Sequence, residues 1–264
     1  MTSQQDFLRP HLLTLPIHRV IIRAVEARLF AELAPTLPEP IVDIGSGDGT
    51  FVQIALPGKR VFGIDPRQDD TREAAGRGVY AGLSVADGSA LPFDDGQFAS
   101  AISNCVLEHV IPLDETLREV ARVLRPGGTF VASVVGHRFP EWLLGTTLLG
   151  AVGLDGGRYG RWFNKIAYHF NTFSPEGWRA RFAQAGFETV VLRPYIDSAA
   201  LKLFDLSHYY GAPSLITRRL TGRWLLRPPL TPNLLWEPLL RRIYAAPPPE
   251  DGACYFFVLK KRKT

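Results

Sequence analysis

The stretch Pro40-Ile41-Val42-Asp43-Ile44-Gly45-Ser46-Gly47-Asp48-Gly49-Thr50-Phe51 decides how the rest of the chain is read. IVDI has the apolar density of a strand covered on both faces. Three glycines at alternating positions follow, and then the sequence turns helix-friendly. Glycine has no Cβ, so such a turn brings backbone close to a ligand, and the N–H groups of the helix that it opens face outward. A glycine turn also serves simply to pack a helix on a strand, so the stretches on either side must discriminate.

Downstream, short apolar runs alternate with helical patterns. RVFGI (60–64), FASAIS (98–103) and TFVASVV (129–135) read as further buried strands. Between the last two, Leu113, Leu117, Val120 and Leu124 share one helical face, and Pro126-Gly127-Gly128 reads as the helix stop. Strands alternating with helices predict a doubly wound, mostly parallel α/β sheet with right-handed crossovers. Upstream, residues 17–34 form a helical segment closed by Pro35, Pro38 and Pro40. Beyond 135 the rhythm changes. Residues 136–170 are rich in aromatics and glycine. Ser174-Pro175 opens a helix that Gly186 ends, with Ser as cap and Pro at the first helical position. FETVVLRPY (187–195) and ACYFFVLKK (253–261) read as strands.

Composition excludes several classes. The two cysteines among 264 residues make no disulfide framework, which fits a reducing compartment. The start MTSQQDF lacks the basic and apolar pattern of a secretory signal, so a cytoplasmic location is expected. The longest apolar stretch, Trp142 to Leu154, is 13 residues with three glycines, against about 20 for a bilayer span. The net charge of +4 is uneven: residues 178–264 hold 14 Lys and Arg against 6 Asp and Glu, a local excess of +8. Such an excess is a solvated basic face or a surface for an anionic partner.

Two acidic positions extend the glycine turn into a site. Asp65 ends the second strand, where a carboxylate can accept both hydroxyls of a ribose. Asp87 follows in Ala86-Asp87-Gly88-Ser89, where it can accept from an adenine amino group. The spacing G-x-G-x-G is not the G-x-G-x-x-G of a dinucleotide site, which speaks against a nucleotide-dependent oxidoreductase.

With these residues in hand the chain resembles the class I S-adenosylmethionine-dependent methyltransferases, in the branch of small-molecule and quinone-biosynthesis enzymes. The matching pieces, in the family's order, are VDIGSGDG, GIDP, ADGSALPFDDGQF, SNCVLEHV and REVARVLRPGG, over residues 41–128. The family usually has Asp after the Phe that opens the fourth strand, and here Ala99 follows Phe98. The resemblance implies a Rossmann-like sheet of seven strands with the last inserted antiparallel. It implies an N-terminal helical segment, 1–40, and a methyltransferase domain, 41–264, with insertions at about 136–173 and 197–250. It implies S-adenosyl-L-methionine as cofactor. Gly45, Ser46 and Gly47 would pass under it, and Asp43 would orient the loop and the methionine amino group. Asp65 with Pro66 would hold the ribose, Asp87 with the Gly88 backbone the adenine, and Asn104 would lie beside the methionine moiety. Transfer of the methyl group is an in-line displacement that depends on holding nucleophile and methyl near contact. It requires no metal, and no metal-ligand spacing stands out in the sequence.

The acceptor side is less defined. Residues 1–34, 136–173 and 197–250 are the candidate covers. Tyr159, Trp162, Phe163, Tyr168, His169 and Phe170 suit a wall around an apolar or planar acceptor, or simply pack the insertion on the sheet. His109 is a candidate general base or a structural histidine, with Tyr168 and His169 as further catalytic candidates. Cys105 reads as a small core residue. In 197–250, apolar residues such as Trp224, Leu225 and Leu226 mix with the pairs Arg218-Arg219 and Arg241-Arg242, which suits peripheral membrane contact or a cap over a lipophilic substrate. The expected activity is methyl transfer to a small or lipophilic metabolite on O, C or N. An RNA methyltransferase would use the same arginines, but no RNA-binding module is recognisable, so nucleic acid is not the expected partner. A non-catalytic S-adenosylmethionine-binding protein is the remaining alternative.

Overall fold

The computed structural model describes residues 5–211, 213–221, 225 and 232–263. Seven strands form one sheet: β1 (Ile41–Ile44), β2 (Val61–Asp65), β3 (Gly82–Val85), β4 (Phe98–Asn104), β5 (Leu124–Val135), β6 (Phe187–Tyr195) and β7 (Cys254–Lys261). Their order is β3-β2-β1-β4-β5-β7-β6. β1 pairs in parallel with both β2 and β4, and β7 lies antiparallel between β5 and β6. From β1 the chain winds outward through β2 and β3, then returns to start β4 on β1's other side. That reversal opens a crevice at the carboxyl ends of β1 and β4, where ligands of open α/β sheets bind.

Helices cover both faces. α1 (Leu8–Thr14) and α2 (Ile17–Leu33) precede the sheet, and α3 (Thr50–Ala55), α4 (Gln68–Arg77) and α5 (Leu113–Val123) are the crossovers. Between β5 and β6 come α6 (Arg138–Trp142), α7 (Leu144–Ala151), α8 (Gly156–Ala167) and α9 (Pro175–Gln184). Between β6 and β7 come α10 (Ser198–Gly211), α11 (Pro213–Thr221) and α12 (Glu237–Ala245). The strand period of two divides the core. Ile41 and Phe256 join Phe30 of α2 and Phe204 of α10 on one face, while Val42, Tyr255 and Phe257 join Leu117 of α5 and Trp178 of α9 on the other.

Two expectations change. β3 was not readable because GLSV is an edge strand that is only partly covered, so it carries no continuous apolar run. α5 stops at Val123, and Leu124 is the first residue of β5, not the last of a helical face. Pro126-Gly127-Gly128 does not form a separate stop. It lies in β5 as an irregularity, where Phe98 pairs Leu124 but Ser100 pairs Thr129. Ser174 caps α9 as expected, its Oγ accepting from Gly177 N at 3.2 Å, and Gly186 follows that helix at φ +90°.

Candidate active site

The glycine loop after β1 is fixed by the neighbouring strand. The N–H groups of Gly45 and Ser46 both donate to the Ile64 carbonyl, at 2.9 and 2.8 Å, and Gly47 N–H donates to Asp65 Oδ2 at 3.0 Å. Gly45 has φ +77°, and a Cβ there would lie 2.5 Å from a methyl carbon of Val106, so a side chain at this position would collide with the segment that follows β4. At Gly47, φ +52°, a Cβ would meet nothing within 4 Å: the backbone faces open space.

That space is a cavity of about 450 Å³, within the range of small-molecule sites. Asp43, Gly45, Ser46 and Gly47 form one wall, and Asn104, Cys105 and Val106 the other. Arg19 and Arg23 of α2 close it from above. Buried Asp43 accepts from Tyr80 Oη at 2.8 Å. Burial pushes its pKa up to about 7, with Asp65 adding repulsion and Tyr80 opposing the rise. Asn104 accepts from Ser133 Oγ at 2.7 Å through Oδ1. Ser46 Oγ is buried with no partner among the described residues, a polar atom left for a ligand.

The other expected cofactor residues stand on the same rim but do not line this cavity. Asp65 is buried, with its second oxygen accepting from Arg67 N at 2.9 Å. Pro66 is exposed. Asp87 is exposed and accepts from Ser89 N at 2.9 Å and Ser89 Oγ at 2.7 Å, bonds that hold its pKa below the ordinary value. A Cβ on Gly88 would meet Thr116 at 2.9 Å.

A second cavity of about 190 Å³ adjoins the first, and the two share Arg19, Arg23 and Cys105. Its walls are apolar on α2, α6, α8 and α10 (Ile22, Phe139, Phe163 and Phe204), with His109, His169 and Glu108 facing it. His109 Nδ1 lies 3.0 Å from the Tyr168 carbonyl, so Nδ1 is the donor and Nε2 is the nitrogen through which the neutral ring would accept. His169 packs at 5.2 Å from the His109 ring. Burial, aided by His109, pulls the His169 pKa down to about 3, so its ring is neutral. Glu108 is buried, its Oε2 has no partner among the described residues, and burial raises its pKa. Tyr168 is displaced from the expected site. It follows α8 at φ +56°, is 67% exposed and lines neither cavity, and it is its carbonyl that reaches His109. The six expected wall aromatics divide likewise: Phe163 and His169 face in, Trp162, Tyr168 and Phe170 are exposed, and half-buried Tyr159 lines neither cavity and donates its hydroxyl to Asp205 at 2.7 Å.

At the seam the two cavities share, sequence reasoning missed a buried network. Glu26 of α2 accepts from Arg23 at 2.9 Å, from Tyr195 Oη at 2.8 Å and from Cys105 Sγ at 2.7 Å. Burial works against the Arg23 charge and is the largest single influence on it, but Glu26 with Glu108 and the other groups around it together raise the Arg23 pKa. Burial, with Glu26 and Glu108 nearby, pushes the Cys105 thiol well up, so it stays protonated and is no nucleophile. The signal was present: Arg19, Arg23 and Glu26 recur at helical spacing along α2.

An open sheet of this order with an antiparallel seventh strand, and a glycine loop at its switch point, defines the class I methyltransferase fold. The family described as a methyltransferase domain matches residues 42–132. The fatty-acid O-methyltransferase of Mycolicibacterium smegmatis is 34% identical over 110 residues, 39% of this chain and 40% of that protein. The ubiquinone/menaquinone biosynthesis C-methyltransferase of Rubrivivax gelatinosus is 25% identical over 189 residues, 68% of this chain and 73% of that protein. The geranyl diphosphate C-methyltransferase of Streptomyces coelicolor superposes with a TM-score of 0.55 at 18% identity, over 94% of this chain and 82% of that one. Five curated relatives are matched over only 31% to 45% of their own length. The chain carries a class I S-adenosylmethionine-dependent methyltransferase domain. S-adenosyl-L-methionine is the cofactor of that domain. The first cavity fits it, with an open glycine backbone, an unpartnered Ser46 hydroxyl and the Asp43 carboxyl along one wall.

Proposed function

We propose that this protein transfers the methyl group of S-adenosylmethionine to a small, largely apolar acceptor held in the second cavity. The observation that carries the reading is the seam: two cavities, one walled by the glycine loop and one by aromatic rings, meet at Arg19, Arg23 and Cys105. Bound cofactor supplies an electrophilic methyl on a cationic sulfonium. The chain's part is to align the two molecules and keep water from between them.

Asp43, Gly45, Ser46, Gly47 and Asn104 hold the methionine end in this reading. Asp65 with Pro66 takes the ribose and Asp87 with Gly88 the adenine, each a role supported by position at the ends of β2 and β3. His109 accepts the acceptor's proton through its Nε2. Glu108, with Oε2 unpartnered, receives a polar atom of the acceptor. His169, neutral, packs against the base.

The acceptor class is a metabolite with an aromatic or aliphatic body and one hydroxyl, carboxyl or enolic carbon. Peripheral membrane contact through 197–250 has less support. Arg241 is tied to Asp6 and Glu237, and Arg218 lines the cofactor cavity. Trp224 and Leu226 lie outside the described residues.

The test is incubation with methyl-labelled S-adenosylmethionine and a panel of lipophilic hydroxyl, carboxyl and quinol-type acceptors, scored by mass spectrometry. A labelled product heavier by one methylene is expected. Cofactor binding by calorimetry with no labelled product from any acceptor would favour a non-catalytic binding protein.

A further inference from the structure

The helical pair α7–α8 carries apolar and basic residues that neither cavity uses. Its helices pack through glycine: a Cβ on Gly145 would lie 2.5 Å from the Tyr159 ring, and one on Gly156 would lie 2.2 Å from the Thr146 carbonyl. The pair is therefore closely joined, and its turn projects Val152 and Leu154, 72% and 61% exposed. On α8 the outward face holds two rows at helical spacing. Trp162 and Ile166, each close to half exposed, form an apolar row beside the basic row Arg158, Arg161 and Lys165. Asp155 is the acid among residues 144–167, and it pairs with Arg161 at 3.1 Å in an exposed bridge that contributes little.

We propose that this face, the turn at Val152–Leu154 with the outer side of α8, docks on an anionic lipid bilayer. An apolar tip bordered by three cations matches an interfacial element, whose apolar side chains enter the acyl boundary while the basic ones meet lipid phosphates. Charge complementarity favours an anionic membrane over a second copy of the chain, because two copies would bring the same basic row against itself. No helix among the described residues is long and apolar enough to cross a membrane, so the contact is peripheral. The opposite side of α8 presents Phe163 and Ala167 to the second cavity. Docking therefore places the acceptor cavity one helix away from the lipid, which suits a lipophilic acceptor taken from the bilayer. This last consequence rests on the function proposed above; the docking itself does not.

The experiment is vesicle sedimentation with phosphatidylcholine alone and with phosphatidylcholine mixed with phosphatidylglycerol, at low and high salt. The parent protein binds the anionic vesicles at low salt and not the neutral ones. Val152→Glu with Leu154→Glu, both exposed and safe for folding, abolishes binding. Arg158→Gln, Arg161→Gln and Lys165→Gln together weaken it roughly a hundredfold at low salt and less at high salt. Arg219→Gln with Arg242→Gln leaves it within a few-fold. Cofactor affinity, measured by calorimetry on the same variants, is unchanged, which separates a failure of docking from a failure of the methyltransferase reading. No binding of the parent to anionic vesicles overturns the proposal, as does loss of binding only in the Arg219/Arg242 variant. Self-association of the parent that the Val152/Leu154 variant abolishes would also overturn it, in favour of a second copy.

Discussion

Gly47 donates its N–H to Asp65 Oδ2 at 3.0 Å, across 18 residues of sequence. The other oxygen of Asp65 takes the N–H of Arg67 at 2.9 Å. One carboxylate thus fixes the glycine loop after β1 and the turn after β2. A charged acceptor is suited to this, since hydrogen bonds to ionised groups are stronger than neutral ones. The consequence is that the proposed ribose ligand is also the brace of the loop that passes under the methionine end.

Replacing Asp65 should therefore weaken cofactor binding by two routes. Asp65→Ala loses a charge-assisted acceptor and frees the loop, and calorimetry should show affinity for S-adenosylmethionine or its demethylated product reduced roughly ten- to a hundredfold. Asp65→Asn should recover part of the loss, because the amide oxygen can still accept one of the two backbone bonds. NAD should not raise the melting temperature of the parent, whereas S-adenosylmethionine should. Equal affinity in parent and Asp65→Ala would remove both roles.

Asp43 sets a pH dependence on binding. Its folded pKa is raised to about 7, so below that value the free protein holds a neutral carboxyl against the cavity. A cationic ligand beside it favours the ionised form, so binding should release a proton and affinity should rise with pH up to about 7. Calorimetry at about pH 6 in buffers of different ionisation enthalpy should detect that proton. Asp43→Asn should abolish the buffer dependence. If the parent releases no proton, Asp43 does not face the cofactor's positive charge.

The strands that build this site were readable because each is covered on both faces. IVDI, RVFGI and FASAIS carry continuous apolar runs, and the glycine loop and Asp65 follow from their ends. β3 escaped because an edge strand need not be apolar. The start of β5 escaped because Leu124 satisfies a helical face and a strand equally well. Asp43, the loop and Asn104 meet in one cavity because they end adjacent strands. The second cavity was legible only as a list of aromatics. Which of them face inward depends on how α8 turns between β5 and α10, and periodicity within one helix does not fix that. Cys105 and Tyr195 are far apart in sequence from Glu26, so their shared buried network could not be read without the fold.

Histidines on the acceptor side should make the protein acid-sensitive. Burial pulls His18 and His169 down to about 3, with His208 adding to the effect at His18 and His109 at His169. A lowered histidine pKa means that the unfolded chain takes up the proton first, so stability is lost as pH falls from about 6.5 toward 3. Asp43 acts in the opposite sense between about 3.8 and 7, since the folded protein holds the proton there. Glu108 and Asp70, also raised by burial, act in the same sense as Asp43, while His11 and His208, also lowered by burial, act with His18 and His169, so four rings stand against three carboxyls. Urea denaturation should show stability falling by up to about 1 kcal/mol per pH unit below about 6.5. The slope should shrink in His18→Phe. A flat profile between about pH 7 and 5 would mean that these rings are not held neutral.

His109 separates acceptor classes. With Nδ1 donating to the Tyr168 carbonyl, its Nε2 can take a proton from a hydroxyl or an enolic carbon as the methyl group transfers. A carboxylate acceptor is already ionised at neutral pH and needs no base. His109→Ala should therefore lower turnover about 10²- to 10⁴-fold with hydroxyl or carbon acceptors while cofactor affinity stays the same. With a carboxylate acceptor the same substitution should cost only a few-fold, through lost packing against His169. Glu108→Gln gives the complementary result. It removes the buried, unpartnered carboxyl proposed to receive the acceptor's polar atom, so it should raise KM about tenfold with little change in kcat. Initial rates over a range of acceptor concentrations, at saturating cofactor, resolve the two effects. If both variants turn over every acceptor as the parent does, the chemistry depends on alignment across the Arg23–Cys105 seam, and His109 returns to a structural role beside Tyr168.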